Sequence, residues 1–192
     1  MKRFRLVLFI LLLGLSVVAE ALAQPKIYLV RHAEKLDGWF EAGELDRFQP
    51  LSAEGIATAE RVAAQFKAGE IAAIFSSATT RTLHTALVIS QKVNAPVTVA
   101  TACVDTAEIA AFYADLIKRF KPDQAVVLVS HSNIIPWFLI KAGLTKGCWE
   151  SLGVLSTFFD PEPRIDGYEH YWAITRLGKT VKACEGFERR QF

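Results

Sequence analysis

The chain is poor in the residues that mark several protein classes. It has three cysteines, one methionine and seven prolines in 192 residues. No C-x-x-C pair occurs, which removes the usual zinc-ligand and thioredoxin-like spacings. Neither sign of charge is in excess, with 22 Lys+Arg against 20 Asp+Glu, so a polybasic tail seeking nucleic acid is excluded. A hydrophobic share of 52% excludes intrinsic disorder, and the glycine and proline content excludes a collagen-like repeat. No internal repeat, low-complexity tract or interdomain linker stands out. The length suits one domain able to bury a core without many disulfides.

The one long apolar run lies at the amino terminus. Lys2, Arg3 and Arg5 precede the run from Leu6 to Val18, and Ala21-Leu22-Ala23 offers an A-x-A cleavage site before Gln24. This is the layout of a secretory signal peptide, and the run is short for a membrane span of about 20 apolar residues. Residues 1–23 are therefore expected to be a cleaved signal and 24–192 a single domain. The mature protein is expected to be periplasmic or secreted, with no stable membrane anchor. The segment carries three bases and one acid, so the formal charge of +2 belongs to it and the remainder is balanced. An oxidising compartment permits a disulfide. Cys148 and Cys184, both late in the chain, are the expected pair, leaving Cys103 free.

The remaining sequence alternates two patterns. Short apolar runs at Lys26–Val30, Ile71–Phe75, Pro96–Val99 and Ala125–Val129 read as strands, the last without polar interruption, as a strand covered on both faces should be. Helical periodicity follows Ser52, a good N-cap, with Ile56, Ala59, Val62, Ala63 and Phe66 at helical spacing. Further helices are predicted over Thr79–Lys92, Thr106–Phe120 and Ile134–Ala142, and late β segments over Tyr168–Thr175 and Lys179–Lys182. Alternating β and α elements predict an α/β three-layer sandwich around a largely parallel central sheet.

Ligands of such sheets bind beyond the carboxyl ends of the strands, and that is where this sequence places its chemistry. The first strand runs into Arg31-His32-Ala33-Glu34, the second into Ser76-Ser77-Ala78-Thr79-Thr80-Arg81-Thr82, and the fourth into Ser130-His131-Ser132-Asn133. Two planar guanidinium forks can hold a phosphate dianion. Imidazole serves as a nucleophile when neutral and as a donor when protonated. The helix after His131, starting near Ser132 or Asn133 with Pro136 in its first turn, would add free N–H groups. With positive charge supplied by Arg and His, phosphoryl transfer needs no metal or other cofactor.

These motifs resemble those of the histidine phosphatase superfamily, the phosphoglycerate-mutase-like fold. Val30-Arg31-His32-Ala33-Glu34 is similar to its R-H-G motif and Leu51-Ser52-Ala53-Glu54-Gly55 to its L-[ST]-x-x-G helix start. Ser76 to Ala86 resembles its S-S-x-x-x-R-T-x-x-T-A segment, and Val127 to Asn133 its V-x-V-x-H-[GS] turn. The resemblance runs from about Lys26 to about Gly143. It implies that His32 is the nucleophile that becomes phosphohistidine and that Arg31, Arg81, His131 and Ser132 bind the phosphoryl oxygens. His131 would also stabilise the transferring group.

Ala33 departs from the family glycine, which implies ordinary backbone angles there. His131 is not followed by Asp, which argues against the phytase-like branch, where that Asp donates the proton. Glu108, with Asp105 and Glu34 as alternatives, is the expected donor, and good leaving groups could dispense with one. The segment 36–50 follows the nucleophile and is read as substrate rim. Its acids Asp37, Glu41, Glu44 and Asp46 would repel a strongly anionic substrate. The expected function is a metal-independent phosphomonoesterase acting outside the cytoplasm on a small phosphorylated substrate, with envelope phosphosugars preferred on location. The alternative is a phosphate- or protein-binding module that kept the pocket and lost turnover.

Overall fold

The computed structural model describes residues 24–178 and 184–192. The expected signal segment 1–23 and the expected strand at 179–182 lie outside the described residues. The strands are β1 (Lys26–Arg31), β2 (Ile71–Ser76), β3 (Val97–Val99), β4 (Ala125–Ser130), β5 (Val154–Leu155), β6 (Arg164–Ile165), β7 (His170–Ile174) and β8 (Phe187–Gln191). The α-helices are α1 (Ala53–Ala63), α2 (Thr80–Val93), α3 (Ile109–Arg119) and α4 (Ile135–Lys141).

Six strands form one sheet in the order β3-β2-β4-β1-β7-β8. The pairs β1–β4, β2–β4 and β2–β3 are parallel, while β7 and β8 add antiparallel at one edge. Strand β4, last of the parallel strands in sequence, lies between β2 and β1. Side chains alternate across this sheet with the period of two that a strand imposes. Ile27, Leu29, Phe75, Val126, Leu128 and Trp172 face a core shared with Ile109, Leu116 and Phe138 of α3 and α4. Tyr28, Val30, Ile74, Val127, Val129 and Ala173 face the other core, shared with Val62 of α1 and Ala86 and Ile89 of α2. The result is the three-layer sandwich that the alternating pattern predicts. Each fully buried Leu, Ile, Val or Phe contributes about 1.5–3 kcal/mol relative to exposure.

Local signals account for several boundaries. The Ser52 side chain caps α1 by accepting from the Gly55 N–H. Helix α2 ends where Asn94 turns left-handed at φ 57° before Ala95-Pro96. Two helices begin later than periodicity suggests. Asp105 accepts from the Ala107 and Glu108 N–H groups, making a turn that delays α3 to Ile109. His131 O accepts from Ile134 and Ile135, so 131–134 is a turn and α4 starts at Ile135 rather than at Ser132 or Asn133. The strand pairing with β7 is β8, Phe-Glu-Arg-Arg-Gln. Its charges hide it from a hydrophobic reading and suit an exposed sheet edge. Cys148 and Cys184 form a disulfide, and Cys103 is free and buried.

The missing side chain of Gly55 lets the segment after His32 lie close against α1. Ser52 donates its N–H to Glu34 O at 3.0 Å, and a Cβ on Gly55 would come within 2.2 Å of that same carbonyl oxygen. Gly55→Ala pits a helix-propensity gain of about 1 kcal/mol against a backbone clash. Overpacking costs about 1–3 kcal/mol, and neither backbone can yield as a flexible side chain would. The expected outcome is net destabilisation, read as a lower urea midpoint.

Candidate active site

Strand register builds the site. Because Arg31 lies opposite Ser130, His32 and His131 leave adjacent strand ends together. The His32 N–H donates to Ser130 O at 2.9 Å. The two imidazole centroids are 5.3 Å apart, edge to face. Ser76 of β2 lies opposite Val129, which sets Ser77 beside His131, with Ser77 Oγ 2.9 Å from His131 Nε2. Ser77 is itself bonded to Thr82 of α2 at 2.7 Å, so the ring is held from the next strand and helix. Among the described residues its other nitrogen, Nδ1, shows no side-chain hydrogen bond, so it can serve a bound group.

His32 Nδ1 lies 2.8 Å from the Ala33 carbonyl oxygen. A carbonyl only accepts, so Nδ1 carries the proton and Nε2 keeps the lone pair. Ala33 is buried, donates its N–H to Thr85 Oγ1 at 3.2 Å and is not at positive φ, in line with its departure from glycine.

The two guanidiniums are held in parallel ways. Arg31 donates from NH1 to Gly167 O at 2.9 Å and from NH2 to Tyr168 OH at 3.3 Å, and it stacks 4.1 Å from the Tyr168 ring centroid. Arg81 donates from NH1 to Asp46 O at 2.8 Å and from NH2 to Asp46 Oδ2 at 3.0 Å. In both, Nε is buried without a protein partner. His32, Arg81 and His131 are only 5%, 6% and 8% exposed. Each arginine thus spends one edge on the protein and keeps donors for an anion, the geometry in which guanidinium binds phosphate oxygens.

Burial pulls both imidazoles down, His32 to about 3 and His131 to about 4 from 6.5. Arg81 and Arg31 push both the same way. The hydrogen bond to Ala33 opposes this at His32, and Asp46 opposes it at His131. At neutral pH both rings are uncharged, which leaves His32 Nε2 nucleophilic.

The structure brings together His32, His131, Arg31 and Arg81. Ser132 follows in the turn, where its carbonyl accepts from the Ile165 N–H. Glu108 does not join them. It precedes α3 and lines a different cavity with Phe75, Thr98, Phe112, Asp115 and Arg119, because the delayed start of α3 leaves it beside the β3 edge. Asp105 spends its side chain on the Ala107 N–H. Glu34 does border the site. With Lys35, Asp37, Ser52, Glu54 and Tyr168 it lines a cavity of about 210 Å³, and the Tyr168 ring centroid lies 6.1 Å from that of His32. Three participants escaped the sequence reading: Tyr168, the Gly167 carbonyl and Asp46 as a partner of Arg81. Ser77 stood within the quoted motif, but nothing in the spacing signalled its bond to His131.

Residues 27–105 match the family model described as Histidine phosphatase superfamily (branch 1). Over that segment the chain is similar to the histidine phosphatase superfamily. No curated protein matches the chain by sequence. Among solved structures, it is similar to mycobacterial hydrolase 1, at 18% identity and TM-score 0.59, covering 88% of this chain and 97% of that one. A mycobacterial glucosyl-3-phosphoglycerate phosphatase solved with VO3 shares 18% identity at TM-score 0.57, covering 87% and 97%. The protein histidine phosphatase SixA complexed with tungstate shares 14% identity at TM-score 0.57, covering 86% and 94%. At these identities the likeness is one of the histidine phosphatase fold.

The depressed imidazoles couple the site to stability. Both bind a proton more weakly folded than unfolded, so below pH 6.5 the unfolded chain holds more protons. Their contribution is complete above the unfolded value and is lost as pH falls towards about 4 and then 3. Thermal unfolding should therefore shift to lower temperature between pH 6.5 and pH 4. His32→Ala and His131→Ala should each flatten that dependence, as scanning calorimetry across the range would reveal.

Proposed function

We propose that the protein is a metal-independent phosphomonoesterase working through a phosphohistidine on His32. The observation that carries this reading is the tautomer-fixed, uncharged His32 beside two arginines whose Nε groups are buried and unpartnered. A phosphate dianion held by Arg31 and Arg81 would present its phosphorus to His32 Nε2. That nitrogen forms the P–N bond as the P–O bond to the alcohol breaks, and the alcohol takes a proton. Water then attacks phosphorus, breaks the P–N bond and releases inorganic phosphate. A bound dianion favours the charged form of His131, so its ring can donate to the transferring group.

The leaving alcohol would enter the cavity beside Tyr168. Its walls carry the carboxylates of Glu34, Asp37 and Glu54, with Lys35 and Ser52. Such walls accept hydrogen bonds from hydroxyls and disfavour a second anionic group. Its volume is below the roughly 300–1,000 Å³ of pockets for drug-sized ligands, which suits one sugar-sized unit. This supports a small, hydroxyl-rich monophosphate, with phosphosugars of the cell envelope the preferred class. Glu34 Oε1 is taken by the Thr58 hydroxyl, while Oε2 is buried and unpartnered. On this reading Glu34, rather than Glu108, passes the proton to the leaving alcohol. Action outside the cytoplasm, as a single domain after removal of 1–23, is part of the same proposal. It rests on the signal pattern and accords with the Cys148–Cys184 disulfide.

His32→Ala should lower turnover of an aryl phosphate by roughly 10³-fold or more, and rapid-quench labelling should find acid-labile, base-stable phosphate on His32. Turnover unchanged in that variant would overturn the assignment. Glu34→Gln should slow alkyl phosphates, whose leaving groups need a proton, by about 10²-fold while slowing aryl phosphates far less. Comparing kcat across a leaving-group series checks this.

A further inference from the structure

Residues 36–50 form a loop pinched at its neck. Lys35 bridges Leu51, the Leu36 N–H donates to Pro50 O at 3.0 Å, and the buried Gln49 donates from Nε2 to Leu36 O at 2.7 Å. Within the loop, Trp39 Nε1 donates to Leu45 O at 3.0 Å. The 3-10 turn Asp46–Phe48 follows directly. This is a surface loop whose two ends are held together at the neck. From this loop Asp37 lines the cavity beside Tyr168, and Asp46 takes both terminal nitrogens of Arg81 through its carbonyl and its carboxylate.

Two roles for that contact differ in sign. Asp46 could occupy the place of the phosphate and compete with it, or it could grip one end of the guanidinium so that the other end faces the phosphate. A guanidinium has five N–H groups, and Asp46 takes two, one on each terminal nitrogen. Nε–H and one hydrogen on each terminal nitrogen remain, and Nε is buried without a partner. Arg31, held by elements on the other side of the pocket, shows the same division: NH1 and NH2 engaged, Nε unpartnered. Two arginines from different elements gripped at the same end point to support rather than competition. The Arg81 side chain is buried while that of Asp46 is half-exposed, so the loop brings its carboxylate to a cation already fixed in the wall.

We propose that Asp46 is the positioning residue of Arg81, and that the loop 36–50 is thereby a working part of the phosphate pocket rather than a passive rim. The phosphatase reading supplies only the identity of the bound anion. The acids of this loop are expected from sequence to repel anionic substrates. Asp46 instead serves anion binding, through the arginine it orients.

The test is a double-mutant cycle read on the dissociation constant of inorganic phosphate, measured by calorimetry and as a competitive inhibition constant against an aryl phosphate. Asp46→Ala should weaken phosphate binding about tenfold and raise KM by a similar factor, with a smaller change in kcat. Asp46→Asn keeps an acceptor for NH2 and should stay within about threefold of the parent protein. Asp46→Ala should add nothing in an Arg81→Ala background. Unchanged or tighter phosphate binding in Asp46→Ala, additive losses in the cycle, or an Asn variant as impaired as the Ala variant would each overturn the proposal. If Asp46→Ala does not fold, Asp46→Ser takes its place. Run in the His32→Ala background, the cycle reads binding without turnover. Failure of the phosphatase reading would appear as unchanged activity in His32→Ala with the cycle intact.

Discussion

The parallel pairing of β1 with β4 is the constraint on which the site depends. Neither histidine is placed by a loop of its own making. Each is the first residue beyond a buried strand, and the register sets their rings edge to face. A shift of one residue in that pairing would turn every side chain of the strand to the other face. The two apolar cores, which claim alternate residues of β1 and β4, therefore fix the distance between His32 and His131. Packing of Leu29 and Leu128 on one face, and of Val30 and Val129 on the other, is part of how the chemistry is aligned.

Around that pair the molecule solves an electrostatic problem. Two guanidiniums cannot be deprotonated, and burying them uncompensated is costly. The chain meets this differently on each side. Arg31 lies against the Tyr168 ring and a carbonyl oxygen, using a π face and a dipole. Arg81, nearly buried, receives a full negative charge from Asp46. The imidazoles between them stay neutral because burial and the same arginines disfavour protonation.

Much of this is legible in the sequence. The strand ends carrying Arg31-His32 and Ser130-His131, the cap at Ser52, the stop at Asn94 and the Cys148–Cys184 pair are short-range or compositional signals, and the chain obeys them. The partners of the two arginines were not legible. Asp46 is 35 residues from Arg81, and Gly167 and Tyr168 are more than 130 from Arg31. No spacing rule connects such positions; only the order of strands in the sheet does. Glu108 fails for the opposite reason. An interval counted from Arg81 treats the chain as evenly wound, whereas the Asp105 turn and the late start of α3 carry that carboxylate to another cavity. Strand β8 was hidden because an edge strand that must not aggregate is written in charge.

The division of labour in the pocket decides which partner in the reaction senses acidity. Guanidinium is a permanent cation, and the two imidazoles take up a proton only well below neutrality. Between those limits the pocket is a fixed electrode. A phosphate monoester changes from monoanion to dianion near pH 6, above the values to which burial lowers His32 and His131. Near that pH the change of charge at the two imidazoles is small beside that of a phosphate monoester itself.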